Sequence, residues 1–120
     1  MAYLLITAGP NAGTSYHLKN CPLSGGREVT RDIQIVDPKV SRKHFRVTRQ
    51  CDKFAIEEQD AKNGVFVNDK QVQSAALGDG DRIRVGATHL IFVDTDDQSK
   101  IDAIKRVHQL SAATSAPTTI

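Results

Sequence analysis

The chain has few aromatic residues and little cysteine. Aromatic side chains make up 5% of its 120 residues and tryptophan is absent, so we do not expect a base-stacking platform for nucleic acid. The two cysteines, Cys21 and Cys51, lack CxxC spacing and histidines at metal-ligand intervals, which excludes a structural zinc site. We expect both to be reduced thiols in a cytoplasmic protein.

Two further absences concern membranes and catalysis. No apolar run is long enough to cross a bilayer, and no secretion-signal pattern is expected at the N-terminus. The sequence contains no GxxxxGK loop, no cysteine and histidine pair in a suitable context, and no clustered carboxylates for magnesium. We therefore expect a protein that is not an enzyme and that has no cofactor, metal, nucleic-acid or membrane partner.

The charged residues are ordinary in number but uneven in distribution. They make up 25% of the chain, and the formal net charge is +2. Residues 1–50 contain eight Lys or Arg and three Asp or Glu, whereas residues 51–97 contain five and ten. This excess of positive charge in one half favours an anionic ligand on one surface of a single domain.

Short strand-like runs, bounded by Gly, Pro, Asn and Asp, fill most of residues 3–93. Residues 44–49 alternate between apolar and polar side chains, as half-buried strands do. No helical pattern separates the runs, which excludes a parallel α/β fold. We predict an all-β protein, a two-sheet β-sandwich of about 10–11 short, mainly antiparallel strands over residues 1–95.

A glycine pair divides the first half of the predicted sandwich. We interpret Gly25-Gly26 as a turn, because glycine adopts backbone conformations that other residues avoid. Strands are then expected over residues 27–30 and 32–36.

The end of the chain has a different pattern. Apolar residues recur at near-helical spacing in residues 96–110, which predicts a short C-terminal helix. Asp96 or Asp97 is suited to cap its start. Residues 111–120 are rich in Ser, Thr, Ala and Pro, which predicts a disordered tail.

The most informative stretch is Ser41-Arg42-Lys43-His44, which places a hydroxyl, two cations and an imidazole immediately before a predicted strand. Arg27, after the glycine pair, offers a planar fork of N–H donors that is suited to two phosphate oxygens. A hydroxyl, a neighbouring arginine and a second arginine from elsewhere can hold a phosphate without hydrolysing it. No nucleophile or metal site accompanies them, so these residues predict binding rather than catalysis.

Several motifs in chain order carry a resemblance to a known family. They are Gly26-Arg27, Asp32-Ile33, Asp37-Pro38, Ser41-Arg42-Lys43-His44, Asn63-Gly64-Val65-Phe66-Val67-Asn68 and the run from Leu77 to Gly86. In this order the chain resembles the forkhead-associated (FHA) domain, a β-sandwich that binds phosphothreonine peptides, over about residues 3–93. The resemblance implies a signalling adaptor whose partner is a phosphothreonine-containing protein or peptide, the product of a Ser/Thr kinase.

The resemblance also assigns roles to residues of this chain. The expected phosphate-binding residues are Arg27, Ser41 and Arg42. The expected peptide-binding residues are Asn63, Lys62 and Lys39. The expected structural residues of the loops are Gly26, His44, Gly64 and Asn68.

One loop departs from the family pattern. Ala61 stands where the family usually has Ser or Thr, and Lys62 lies between it and Asn63. The lost hydroxyl leaves an alternative function open, in which an FHA-like fold binds a partner protein without requiring phosphate. A comparison of phosphorylated and unphosphorylated peptides separates the two functions.

Overall fold

The computed structural model describes residues 1–19, 21–97, 99–104 and 106. Within these residues the chain forms eleven strands. They are β1 Ala2–Ala8, β2 Ser15–His17, β3 Leu23–Gly26, β4 Ile33–Gln34, β5 Phe45–Gln50, β6 Lys53–Glu58, β7 Val65–Val67, β8 Lys70–Val72, β9 Ser74–Leu77, β10 Arg82–Val85 and β11 Thr88–Asp94.

The strands form two sheets packed face to face. One sheet has six strands in the order β2-β1-β11-β10-β7-β8, and the other has five in the order β4-β3-β5-β6-β9. The pairs are antiparallel except β3 with β4, which run parallel. The predicted all-β, two-sheet β-sandwich is therefore confirmed.

The core lies between the two sheets and follows from the alternation of side chains along each strand. In β5, Phe45 and Val47 are buried while Arg46 between them is exposed. The inner faces contribute further fully buried side chains, among them Leu4, Ile56 and Phe92. Burying one face of the central strands fixes their register, because a slip of one residue would turn the apolar set outward.

The predicted turn at Gly25-Gly26 is wrong, since both glycines belong to β3. A Cβ atom on Gly25 would lie 2.1 Å from the Phe45 ring, so the missing side chain is what lets that ring pack against the strand. The strand expected over residues 27–30 is also absent. Those residues form bends and a turn, closed by a 3.0 Å hydrogen bond from Arg31 N–H to the Glu28 carbonyl.

A short helix packs on the outer face of the six-stranded sheet. Residues 99–104 and 106 are helical. Ile101 is buried there against Leu5 and Val93, which point away from the main core. No helix among the described residues has the length and apolar character needed to cross a membrane.

The start of the helix agrees with one of the two expected caps. The Asp97 carboxylate accepts a 2.9 Å hydrogen bond from the Ser99 backbone N–H, which is the usual geometry of an N-cap. The expected continuation over residues 107–110 and the expected tail over residues 111–120 lie outside the described residues.

Candidate functional site

Three loops meet at one end of the sandwich. One loop follows β3, the second precedes β5, and the third joins β6 to β7. Together they enclose an open pocket of about 550 Å³. Its lining residues are Arg27, Glu28, Ser41, Arg42, Lys43 and Asp60. The three residues expected to bind phosphate are thus brought together, although Arg27 is distant from the other two in sequence.

Backbone contacts hold Arg27 at the wall of the pocket. Its Nε donates a 2.9 Å hydrogen bond to the Val40 carbonyl, and its backbone N–H donates one of 3.0 Å to the Ser41 carbonyl. Within the described residues, the two terminal guanidinium nitrogens have no protein acceptor. The side chain is therefore oriented by one nitrogen while the other two remain available to an anion.

Ser41 and Arg42 present their polar groups on the facing loop. The Ser41 hydroxyl oxygen accepts a 3.0 Å hydrogen bond from the Lys62 backbone N–H, which leaves the hydroxyl proton free to be donated. The Arg42 side chain is exposed and forms no ion pair within the part of the chain that the structure describes. Lys43 also lines the pocket.

His44 lies beneath the pocket and joins two of the loops. Its Nδ1 accepts a 3.0 Å hydrogen bond from the Ser41 backbone N–H, and its Nε2 lies 2.7 Å from the Gly64 carbonyl oxygen. These partners require the tautomer with hydrogen on Nε2, which donates to that carbonyl. The ring is fully buried, and burial lowers the pKa of His44 below its ordinary value.

Gly26 allows the Ser41 loop to approach β3. A Cβ atom on Gly26 would lie 2.1 Å from the Arg42 carbonyl oxygen and 2.9 Å from that of Ser41. We expected this glycine to form part of a turn. The space of its missing side chain is instead filled by the backbone that carries Ser41 and Arg42, so Gly26 acts on the site by letting this loop pack closely.

The residues expected to contact a peptide lie around the pocket. Asn63 donates a 2.8 Å hydrogen bond from Nδ2 to the Lys39 carbonyl, so its amide nitrogen links the two loops. Its side-chain oxygen remains available to a backbone N–H of a ligand. The side chains of Lys39 and Lys62 are exposed and do not line the pocket itself.

Asn68 lies at the other end of β7 from Gly64. Its side-chain oxygen accepts a 3.0 Å hydrogen bond from the Arg82 backbone N–H, and its nitrogen donates one of 3.0 Å to Asp81. With a φ of +50°, it forms the turn between β7 and β8. It is a structural residue, but the turn that it supports is not one of the three pocket loops.

Sequence reasoning missed the part that Asp37 plays in the site. Its buried carboxylate accepts hydrogen bonds from the N–H groups of Lys39 and Ala87 and from the Thr88 hydroxyl, at 2.9, 2.8 and 3.0 Å. Burial by itself raises the pKa of Asp37, yet these bonds outweigh it, and the pKa is lowered. The bonds from Asp37 to the distant β10–β11 hairpin have no signal in the local sequence.

The arrangement is suited to holding an anion. Two arginines, a hydroxyl and a lysine line one open pocket, and the imidazole below them is buried and already bonded on both nitrogens. Among the described residues, no group of three His, Cys, Asp or Glu is placed to hold a metal ion. These features define a β-sandwich with an open, cation-lined pocket among the loops at one end.

Comparisons with known proteins identify the family. Residues 5–96 match the family described as the cytoplasmic domain of the inner-membrane component of type III secretion systems. A crystal structure of the FHA domain of a Chlamydia trachomatis protein is 26% identical, with a TM-score of 0.74, and the match covers 78% of this chain and 97% of that one. Mycobacterium tuberculosis EmbR, solved with a low-affinity phosphopeptide, is 27% identical, with a TM-score of 0.70 over 80% of this chain and 26% of that one. The chain belongs to this secretion-component family, which is of the FHA type, and the resemblance to FHA domains is confirmed.

Curated relatives carry the names of regulators. The glycogen accumulation regulator GarA of Mycobacterium tuberculosis is 34% identical over 101 residues, which cover 84% of this chain. The oxoglutarate dehydrogenase inhibitor of Corynebacterium jeikeium is 33% identical over 93 residues, or 78% of this chain. The chain spans 62% of the length of GarA and 65% of that of the inhibitor.

Proposed function

We propose that the pocket binds phosphothreonine in a segment of a partner protein and that the chain acts as a signalling adaptor in the cytoplasm. The observation that carries this proposal is the convergence of Arg27, Ser41 and Arg42 on one open pocket. The proposed activity is binding rather than catalysis.

Arg27 and Arg42 approach the proposed phosphate position from separate loops. A guanidinium fork and a hydroxyl match the oxygens of a phosphate, and each charge-assisted hydrogen bond contributes about 1.5–3 kcal/mol. Three such bonds, less the cost of ordering the ligand, are consistent with roughly micromolar affinity. Because the backbone already holds Arg27 and Ser41, little further ordering of the protein is needed.

The residues around the pocket suit an extended peptide. The Asn63 side-chain oxygen can accept a hydrogen bond from any backbone N–H, whatever the peptide sequence. Lys39 and Lys62, both exposed on the adjoining loops, are proposed to contact residues beside the phosphothreonine. The peptide would then be held by its backbone and selected by its flanking side chains.

The relatives support a regulatory binding role. EmbR was solved with a phosphopeptide, and the curated relatives are named as a regulator and an inhibitor. For this chain we propose that the partner is the product of a Ser/Thr kinase.

A binding titration tests the proposal. A fluorescent phosphothreonine peptide library and its unphosphorylated twin are titrated against the protein and its Arg27→Ala and Ser41→Ala variants. We expect Arg27→Ala to weaken phosphopeptide binding roughly ten- to hundredfold, since it removes a charge-assisted contact. Arg46→Ala is the matched control, because Arg46 pairs with Glu57 at 2.7 Å on the outer face of the five-stranded sheet.

The same titration tests the alternative of phosphate-independent binding. Equal binding of the phosphorylated and unphosphorylated peptides, or full binding by both pocket variants, would contradict the proposal. Binding that is independent of phosphate but lost in a variant of the loops would support the alternative function.

A further inference from the structure

Two carboxylates line the pocket, and phosphate binding alone does not explain them. Glu28 and Asp60 share the lining with Arg27, Arg42 and Lys43. A carboxylate beside a bound phosphate dianion repels it unless a cation neutralises the carboxylate. The question is therefore which cation each carboxylate meets when the pocket is occupied.

Glu28 already has its cation within the protein. Its Oε1 lies 2.7 Å from Nη2 of Arg31 and accepts a 3.0 Å hydrogen bond from the Thr30 hydroxyl. The Arg31 side chain is only 19% exposed, so the pair is held in place by its surroundings. Glu28 thus needs nothing from a ligand.

Asp60 has no such partner. Within the part of the chain that the structure describes, its carboxylate forms no hydrogen bond and no ion pair, and the residue is exposed at the pocket. Its φ of +32° lies in the left-handed region, which residues other than Gly, Asn and Asp seldom adopt. The Lys62 N–H bond to the Ser41 hydroxyl, 3.0 Å long, holds this loop against the proposed phosphate-binding residues.

We propose that Asp60 recognises a Lys or Arg side chain beside the phosphothreonine, so that the preferred ligand is a phosphothreonine segment with a basic flanking residue. This inference rests on the proposed function. Because the loop of Asp60 is bonded to Ser41, the basic residue is expected within about two positions of the phosphothreonine, the reach of a long side chain along an extended backbone. The ligand would then supply both the anion for the arginines and the cation for the carboxylate.

Paired peptides and a matched variant test this selectivity. Each phosphothreonine peptide has an unphosphorylated twin and carries one Lys or one Glu at one of the two positions on either side of the threonine, in an otherwise neutral sequence. Affinities are measured by fluorescence anisotropy for the protein, Asp60→Asn and Asp69→Asn. Asn tolerates the left-handed backbone, so Asp60→Asn removes the charge and keeps the loop. Asp69 is the control, since it is exposed with a φ of +70° in the β7–β8 turn, away from the pocket loops.

We expect the Lys peptide to bind about three- to fivefold more tightly than the Glu peptide at one or more of the four positions, the range of a favourable exposed ion pair. The ratio should fall toward one in Asp60→Asn, persist in Asp69→Asn and shrink as salt is added. A ratio that is unchanged in Asp60→Asn, or a preference for Glu, would overturn the inference while phosphate dependence stayed intact. Failure of every peptide to discriminate phosphorylated from unphosphorylated threonine would instead overturn the proposed function, and the role of Asp60 with it.

Discussion

A single imidazole joins two of the three loops that form the pocket. His44 accepts a hydrogen bond from the Ser41 N–H and donates one to the Gly64 carbonyl, and its ring is fully buried. A residue in this position holds the pocket loops together from beneath. Substitution of His44 should therefore lower the stability of the protein more than it changes ligand specificity.

Replacing His44 by alanine should lower the free energy of unfolding by about 2–4 kcal/mol. The change removes two buried hydrogen bonds, leaves the Gly64 carbonyl without its partner and opens a cavity. Urea denaturation measures the difference. His89→Ala, at an exposed position of β11, should shift the same quantity by less than about 0.5 kcal/mol. A stable His44→Ala protein with normal phosphopeptide affinity would contradict this role.

The buried imidazole also predicts a dependence of stability on pH. Burial lowers the pKa of His44 in the folded protein, so on acidification the unfolded chain takes up this proton first. Stability rises with pH wherever the unfolded state binds more protons. The contribution of His44 to stability is therefore complete above the ordinary histidine pKa of about 6.5 and is lost as the pH falls below it. Urea denaturation between about pH 5 and 8 should show this slope in the protein, with a reduced slope in His44→Gln. Identical slopes would exclude the effect.

At the scale of the element, the pocket depends on how closely the loop before β5 packs on β3. The Arg27 N–H donates a hydrogen bond to the Ser41 carbonyl. The Ile35 N–H donates one to the Gly26 carbonyl, and the His44 N–H donates one to the Gly25 carbonyl. These contacts lie directly against the two glycines of β3. The loop can therefore pack closely on β3, because these two glycines have no side chains.

Gly26→Ala should damage both stability and binding. The new Cβ would lie 2.1 Å from the Arg42 carbonyl oxygen, which is backbone and cannot rotate away. We expect about 1–3 kcal/mol of lost stability and a weakened phosphopeptide affinity, because Ser41 and Arg42 must move together. Denaturation and anisotropy on the same samples measure the two effects.

Gly78→Ala is the matched control for this substitution. A Cβ at Gly78 meets only the Asp81 carboxylate at 3.8 Å, an ordinary contact, and its backbone is not left-handed. Both measured quantities should stay close to those of the unaltered protein. Equal effects of the two substitutions would show that the crowding at Gly26 is not the cause.

At the scale of the whole molecule, the helix and the pocket occupy different parts of the sandwich. The helix packs through Ile101 on Leu5 and Val93 of the outer sheet face, whereas the pocket lies among loops at one end. The two regions have no lining residue in common. Stability and ligand binding should therefore be separable by substitution.

Ile101→Ala should lower the free energy of unfolding by about 2–4 kcal/mol, since it truncates a fully buried side chain. Phosphopeptide affinity at a temperature where the variant is folded should be unchanged. Ala103→Gln, at an exposed helical position, is the control and should leave stability nearly constant. A parallel loss of affinity in Ile101→Ala would show that the helix supports the binding loops.

Much of the fold could be predicted because strand periodicity is local. The alternation in β5 and β10 marks the buried side chains directly, and the expected sandwich is confirmed. The failure at Gly25-Gly26 has an equally clear cause. Glycine predicts a turn when only its flexibility is considered. Here both glycines lie in a strand, because the Phe45 ring occupies the side-chain space of Gly25 and the Arg42 carbonyl occupies that of Gly26.

The sequence alone determined the kind of chemistry that this protein has available: forked cations and a hydroxyl before a strand, without a nucleophile or a metal-binding motif. Only the tertiary structure decided which groups share the pocket and which are already engaged. Arg27 meets Ser41, the Asn63 amide nitrogen is taken by the Lys39 carbonyl, and Asp60 is left without a partner in the described chain. The reason is physical, since contacts between residues far apart in sequence depend on how the sheets pack and bring loops together. Local propensity carries no information about that packing.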